Sequence, residues 1–243
     1  MTRELADKRR PNCAVVMPVY NEEGVIAEVI DKWTAMLSRV VERFEIHAYN
    51  DGSRDQTLSI LYRLQQTNPH LVVYDKPNSG HGPTVIEGYR EASEAEWIFQ
   101  MDSDDELGPK PFEALWKQRE SYDFLIGRRT GRDQLLARRI MTHFSRLLIE
   151  MLYGKGVYDV NCPYRLMRTQ PFKACFFSLP EHTFAPNLIV TGYAVMKGMA
   201  CFEVDVPFRG RRTGEVSIKK WRLMKAAVTA LLQTILNRFR FRP

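Results

Sequence analysis

Four short apolar runs, three of them followed by a segment with helical spacing, constrain the first hundred residues more than any other feature of the chain. Cys13-Ala14-Val15-Val16-Met17 ends at Pro18 and reads as a buried strand. Gly24–Val40 sets Val25, Val29, Trp33, Met36, Leu37 and Val40 at helical intervals. Phe44–Tyr49 reads as a second strand and Thr57–Leu64 as a helix. Leu71–Tyr74 is a third strand, Pro83–Ala92 a helix and Trp97–Met101 a fourth strand. This β-α-β-α-β-α-β order predicts an α/β fold with a mostly parallel, Rossmann-like sheet and helices on both faces. Ligands of such sheets bind beyond the carboxyl ends of the strands. Polar clusters stand where three of the runs end: Tyr20-Asn21-Glu22, Asn50-Asp51-Gly52-Ser53 and Asp102-Ser103-Asp104.

Beyond Gly108-Pro109 the pattern loosens. A helix is expected over Pro111–Glu120, a short strand at Phe124-Leu125-Ile126, a basic apolar helix or helix pair over Leu135–Leu152, and a strand over Ala200–Phe208. The last segment, Lys219–Arg240, is amphipathic. Met224, Ala227, Val228, Leu231, Leu232, Ile235 and Phe239 share one face, with Arg222, Lys225, Thr229, Gln233 and Asn237 opposite. A length of 243 residues, 44% hydrophobic and 26% charged, suits one large domain with a short appendage. The expected division is a domain over 12–215 and a basic amphipathic helix over 216–243.

The net charge is +6 and uneven: Asp205–Pro243 holds ten basic and two acidic residues, so the rest of the chain sums to −2. A localised basic tail predicts an anionic surface or a phosphate ligand rather than a uniformly basic nucleic-acid binder, and most aromatics fall on predicted apolar faces rather than between the tail's basic residues. Cys13, Cys162, Cys175 and Cys201 are scattered, which excludes a zinc motif and a disulfide framework and fits reduced thiols in a cytosolic protein. The first eleven residues carry no apolar leader run, and Ala226–Leu236 is about half the ~20 residues of a membrane span.

The chemistry centres on Asp102-Ser103-Asp104-Asp105-Glu106. Alone, this run also fits a solvated acidic turn. After the fourth strand, carboxylates at i and i+2 are set to turn toward one hard cation, Mg²⁺ or Mn²⁺, with a diphosphate completing the shell. Pro18-Val19-Tyr20-Asn21-Glu22 joins the first strand to its helix. Asn21 suits the N-cap of that helix; the alternative places Tyr20 and Glu22 around a nucleoside. Asp51 ends the second strand and is placed to accept from a base or ribose. Gly80-His81-Gly82 stands before a helix, where backbone amides can approach an anion. His81 reads as a surface histidine, with donation to phosphate as the alternative.

In this order the motifs resemble the family-2 inverting glycosyltransferases of the GT-A fold, nearest the dolichol-phosphate mannosyltransferase and polyprenyl-phosphate glycosyltransferase group. The resemblance spans about Cys13 to Ser217 and rests on Pro18-Val19-Tyr20-Asn21-Glu22, Asn50-Asp51-Gly52-Ser53-Arg54-Asp55-Gln56-Thr57, Gly80-His81-Gly82, Asp102-Ser103-Asp104 and Asp159-Val160-Asn161-Cys162-Pro163-Tyr164-Arg165. It implies nucleoside contacts from Pro18, Tyr20, Asn21, Glu22 and Asp51, further donor contacts from Gly80, Gly82 and Ser103, and metal ligation by Asp102, Asp104 and Glu106. It implies that Arg128 lies near the phosphates and that Arg211, flanked by Arg209 and Arg212, is the matching arginine of Phe208–Gly214. Three departures stand out. Asn50 replaces an aspartate, Gly214–Ser217 is one residue longer than usual, and Phe184–Asn187 lacks the acidic residue relatives often carry.

An alcohol acceptor needs a general base, whereas a phosphate acceptor needs mainly positioning. Asp159 is the candidate base; pairing with Arg165 is its other expected role. With Arg128, Arg209, Arg211 and Arg212 nearby in the pattern, a lipid-phosphate acceptor at the cytoplasmic face of a membrane is the leading expectation. The basic helix would then lie on the membrane surface, pair with a second copy or bind a separate membrane protein. The alternatives are a soluble glycosyltransferase acting on a hydroxyl, a nucleotidyltransferase, and a non-catalytic lipid- or nucleic-acid-binding module.

Overall fold

The computed structural model describes residues 10–131, 136–210 and 220–241, with the side chains of 136–142 and 220–228 outside the description. The expected alternation is present. It comprises β1 (Cys13–Val19), α1 (Ile26–Val40), β2 (Phe44–Asp51), α2 (Thr57–Thr67), β3 (Leu71–Lys76), α3 (His81–Glu91) and β4 (Trp97–Gln100). Then follow α4 (Phe112–Gln118), β5 (Phe124–Thr130), α5 (Leu136–Tyr153), β6 (Arg165–Arg168), α6 (Thr169–Ser178), α7 (Pro186–Met196), β7 (Cys201–Pro207) and α8 (Lys220–Arg240). The seven strands form one sheet in the order β3-β2-β1-β4-β6-β5-β7. Pairing is parallel from β3 through β4 and between β5 and β7. Only β6 runs against its neighbours.

The sheet is buried on both faces because its central strands are apolar throughout: all seven residues of β1 are buried. Pro18 fits there for a geometric reason. The Val16 carbonyl accepts from Met101, on the β4 side, and pairing with β4 stops at Val16 opposite Gln100. Two residues on, Pro18 turns its missing N–H toward that side, where no ladder bond is lost. Alternation along β4 sorts the two cores. Phe99 packs with Trp33 of α1, Phe112 of α4 and Tyr164, with centroids 4.8–5.1 Å apart. On the opposite face Gln100 accepts from Tyr89 of α3, whose ring stacks on Phe176 of α6 at 4.7 Å.

The strand direction matters for the site. The C-terminal ends of β1, β2, β3 and β4 share one edge, and the antiparallel β6 begins there, with Arg165 opposite Gln100. The ends of β5 and β7 overhang the same edge, with Thr130 paired to Pro207. Leu107 bridges to Phe208 across it.

The region expected as a helix or helix pair is the single helix α5, and α8 docks on the domain with an unexpected face inward. Thr234, Asn237 and Phe241 are buried, whereas Leu232, Leu236 and Phe239 are exposed. The reason is polar anchoring. Tyr153 donates its hydroxyl to the Thr234 carbonyl at 2.7 Å, and Arg238 Nε donates to the Leu152 carbonyl at 2.6 Å. Thr234 and Asn237 each send a side-chain hydrogen back to a carbonyl of their own helix, which occupies those donors as the residues are buried, while Asn237 Oδ1 has no hydrogen-bond partner among the described residues. Among the described residues no helix is long and apolar enough to cross a membrane.

Candidate active site

The loops after β1 and β2 are stitched to each other. The Asn21 backbone, at φ +54°, donates to Ser53 Oγ at 3.0 Å, and Asn21 Oδ1 accepts from the Arg54 amide at 2.8 Å. The Glu22 amide donates to Thr57 Oγ1 at 2.8 Å, and the Gln56 amide to Glu23 Oε2 at 2.8 Å. Asn21 therefore does not cap α1: the capping position belongs to Val25, which makes no side-chain bond. Its short amide instead ties two loops together in a left-handed conformation that asparagine tolerates. Tyr20 stays 38% exposed at this edge, while Glu22 is buried. Pro18 and Ser103 are buried as well and form the floor of the edge.

Asp51 is a buried carboxylate at the centre of a small anion cradle. Its Oδ1 accepts from the Ser79 amide at 2.8 Å and from Lys76 Nζ at 3.0 Å, and its Oδ2 accepts from the Gly80 amide at 2.9 Å. Loss of hydration alone would raise this carboxyl; the amides of Ser79 and Gly80 and the Lys76 ammonium outweigh it and hold it below the ordinary range. The Gly80 amide, which the sequence offered to an outside anion, is thus already donated to an inside one. Gly80 adopts φ +93°, which aims its amide inward and suits glycine. Gly82 is glycine for another reason: a Cβ there would lie 2.2 Å from the Thr183 carbonyl oxygen, so α3 packs directly on the 183–184 backbone. Asn50, the departure from the family pattern, donates from Nδ2 to Asp75 at 2.7 Å, where a second carboxylate would repel.

The cradle sets the start of α3, and His81 at that start reaches Asp102: Nε2 lies 3.1 Å from Oδ1. Loss of hydration pulls the His81 imidazole down, but Asp102, Asp104 and Asp51 together raise it. The same three carboxylates make a field that attracts cations. Loss of hydration would raise Asp102; His81, Arg129 and Arg165 hold it low and therefore ionised. Asp104 Oδ1 accepts from the Glu106 amide at 3.2 Å, and the Glu106 carbonyl accepts from the Arg209 amide at 3.0 Å. Asp105, at φ +56°, pins this loop to α1 through Lys32 at 2.8 Å. Among the described residues no three His, Cys, Asp or Glu side chains gather into a metal cage. Asp102, Asp104 and Glu106 do not close around one point, because Asp102 leans on His81 and Asp104 folds back on its own loop. What remains is an open edge of hard oxygen donors, a set that suits Mg²⁺ or Mn²⁺ when a ligand supplies the other oxygens.

The arginines sort by strand parity. Arg128 and Arg129 are neighbours on β5, so they face opposite sides. Arg128 pairs with Asp205 of β7 at 2.6 Å with its side chain 46% exposed, leaning on Tyr158. Arg129 is the one whose charge is felt at Asp102. It clamps Asp159 twice, Nε to Oδ2 at 2.7 Å and Nη2 to Oδ1 at 2.8 Å. The expected pairing of Asp159 with Arg165 is therefore corrected: the Arg165 guanidinium is fully buried and donates to the carbonyls of Cys162 and Asn187. With both oxygens held by Arg129, Asp159 positions that arginine and is poorly placed to act as a base. Arg209 lies against Gly108, where a Cβ would sit 2.6 Å from its guanidinium carbon, four residues beyond Asp104. Arg211 and Arg212 lie outside the described residues.

Sequence reasoning read His81 as a surface histidine and passed over Lys76 and Arg129. A histidine between two glycines looks like surface, and adjacent arginines give no parity when the preceding residues Phe124, Leu125, Ile126 and Gly127 are all buried.

An open, parallel-sheet edge with three polar loops and an acidic loop after the fourth strand is the architecture of a GT-A glycosyltransferase. Glycosyl transferase family 2 matches residues 14–179, and the chain belongs to that family. It is 25% identical over 215 residues to an undecaprenyl-phosphate 4-deoxy-4-formamido-L-arabinose transferase of Photorhabdus laumondii, covering 87% of this chain and 63% of that protein. It is 28% identical over 178 residues to the protein of the same name from Pseudomonas syringae, covering 72% and 52%. The chain thus spans less than two thirds of these relatives. Among solved structures, a Pyrobaculum calidifontis mannosyltransferase in complex with GDP-Man and Mn²⁺ superposes with a TM-score of 0.67 at 15% identity, over 96% of this chain and 66% of that one. Mycobacterium tuberculosis glucosyl-3-phosphoglycerate synthase with Mn²⁺, UDP-glucose and phosphoglyceric acid gives 0.67 at 20%, over 99% and 83%. These neighbours establish the fold.

Proposed function

We propose that the chain transfers a sugar from a nucleotide-sugar to a polyprenyl-type lipid phosphate, with inversion at the anomeric carbon. The observation that carries this reading is the clamp on Asp159. The carboxylate that sequence offered as a base has both oxygens bonded to Arg129, whose charge is felt at Asp102. A hydroxyl acceptor would lack its proton acceptor at that point. A phosphate acceptor arrives ionised and needs only to be held in line. Arg129 and Arg209 suit that task, because a guanidinium fork matches phosphate oxygens. The names of the undecaprenyl-phosphate relatives support the same acceptor class.

Donor binding is assigned to the edge formed by Tyr20, the Asp51 cradle and the Asp102–Glu106 loop. Tyr20 is the exposed surface available to a base. Asp51 keeps the 77–80 loop in place, which fixes His81 and through it Asp102. Asp102 and Asp104 would hold Mg²⁺ or Mn²⁺ with the donor diphosphate completing the shell; Mn²⁺ accompanies the nucleotide-sugar in both neighbours. When bound, the metal offsets the charge that builds on the departing nucleoside diphosphate. Arg211 and Arg212 remain candidates for the same phosphates. The enzyme is assigned to the cytoplasmic face of a membrane as a peripheral protein.

The test is a panel of GDP- and UDP-sugars with Mn²⁺, read by thermal shift, followed by turnover with a polyprenyl phosphate. The expected product is a sugar phosphodiester that mild acid cleaves. Transfer to a plain hydroxyl, giving an acid-resistant product, would overturn the acceptor assignment. Release of pyrophosphate would overturn the reaction class.

A further inference from the structure

A cavity of about 600 Å³ opens at the end of the sheet opposite the candidate active site. There β1 and β4 begin side by side, with Cys13 opposite Trp97, and β6 ends, with Arg168 opposite Trp97. Five residues separate Trp97 from Asp102, roughly 16 Å of near-extended chain. A cavity of this size accommodates a small ligand. Arg10, Arg43, Arg168 and Lys173 line it against Glu94 and Glu96, an excess of two positive charges. Glu94 is matched within the fold, by Arg10 at 3.0 Å and Lys173 at 2.7 Å. Arg168 is held in one pose. Its Nε donates to Asp123 at 3.0 Å, its Nη2 to the Arg119 carbonyl at 3.1 Å, and its guanidinium lies 4.5 Å over the Trp97 ring. A guanidinium fixed in this way loses little freedom on meeting an anion.

Two polar atoms of the wall have no use inside the fold. Thr169 is 3% exposed, and its hydroxyl has no hydrogen-bond partner among the described residues; Asn12 Oδ1, in the same wall, has none either. Buried polar groups are nearly always bonded, so orphans lining a polar cavity mark places for ligand atoms. Thr169 is also the first residue of α6, whose start has no side-chain cap, so the positive end of the helix dipole adds to the basic lining. The chemistry of the lining selects the ligand. Among the described residues that line it there is no aromatic ring, and Pro11 and Ala95 are the only apolar side chains. A nucleobase or an acyl chain would have nothing to rest on. The basic side chains call for an anion, whereas Asn12 Oδ1 and the Glu96 carboxylate call for hydrogen-bond donors. A hydroxylated phosphate ester carries both.

We propose that this cavity is a second binding site, separate from the donor edge, for a small sugar phosphate. The basic side chains take the phosphate, Asn12 and Glu96 accept from sugar hydroxyls, and the Thr169 hydroxyl gains the partner it lacks. The proposal does not depend on the transferase reading, and it is tested without metal, donor or acceptor. Titration calorimetry with glucose 6-phosphate and ribose 5-phosphate should show one site. Inorganic phosphate and glucose, each carrying half of the recognised chemistry, should bind about tenfold more weakly or worse. Thr169→Val should weaken ester binding about tenfold while melting no lower than wild type, because its hydroxyl has no bond in the fold to lose. Lys173→Met should weaken it about thirtyfold, and raised ionic strength should do so progressively. Arg209→Met, at the other end of the sheet, should leave ester binding unchanged. Wild-type protein that binds neither ester at millimolar concentration would overturn the proposal, as would Thr169→Val and Lys173→Met proteins that bind the esters normally. Loss of binding in Arg209→Met alone would place the esters at the donor edge and overturn it too. A lower melting temperature in Thr169→Val would do the same, since the hydroxyl would then have a partner within the fold.

Discussion

Replacing Asp51 with asparagine tests whether that residue is an internal anchor or only a contact for the donor. The substitution keeps shape and removes charge. In the native chain the carboxylate is 4% exposed and receives two backbone amides at 2.8 and 2.9 Å and the Lys76 ammonium at 3.0 Å. Charge-assisted bonds contribute about 1.5–3 kcal/mol each, and breaking one side of a buried pair costs about 3–5 kcal/mol. Asparagine retains one acceptor oxygen, so a loss of about 3 kcal/mol is expected. For a chain of this size that is a fall in Tm of roughly 6–12 °C. Urea unfolding followed by circular dichroism measures it. The sign with pH follows from the depressed carboxyl. Its stabilisation is complete above the unfolded aspartate range, near 4, and is lost as the pH falls through the lower native value. The gap between wild type and Asp51→Asn should therefore be full at neutral pH and shrink in acid. A variant with wild-type stability at pH 7 that nonetheless loses donor binding would refute the anchor argument and return Asp51 to a purely nucleoside role.

Three further outcomes follow from the same geometry. Asp104→Ala should abolish Mn²⁺-dependent donor binding and turnover while leaving the Tm unchanged, and chelation of the metal from wild-type enzyme should reproduce the loss; both are read by calorimetry and radiolabelled transfer. Arg129→Met should strand the buried Asp159 carboxylate and cost about 3–5 kcal/mol in denaturant unfolding, together with loss of turnover. Arg128→Met, one residue away on the exposed side of β5, should change neither. Gly82→Ala should destabilise by about 1–3 kcal/mol, because its Cβ meets backbone that a side-chain rotation cannot clear; a thermal melt shows it.

Local pattern settled the architecture of the first half of this chain. Apolar runs buried on both faces, such as Cys13–Val19, can be little else than central strands once helical segments alternate with them. That alternation also placed Asn21, Asp51 and Asp102 at one sheet edge, since parallel strands end on the same side. The roles of those residues were decided by contacts between segments far apart in sequence. Asn21 caps nothing and holds Ser53 and Arg54. The Gly80 amide binds Asp51 across 29 residues. Asp159 pairs with Arg129 across 30, and β6 enters antiparallel between β4 and β5 with no alternation to announce it. A single chain carries no signal for such pairs, because either partner alone fits an ordinary turn or surface charge. The C-terminal helix shows the same division. Its period was legible and its inward face was not, because anchoring by Tyr153 and Arg238, with Thr234 and Asn237 each donating to a carbonyl of their own helix, outweighed the burial of Leu232, Leu236 and Phe239.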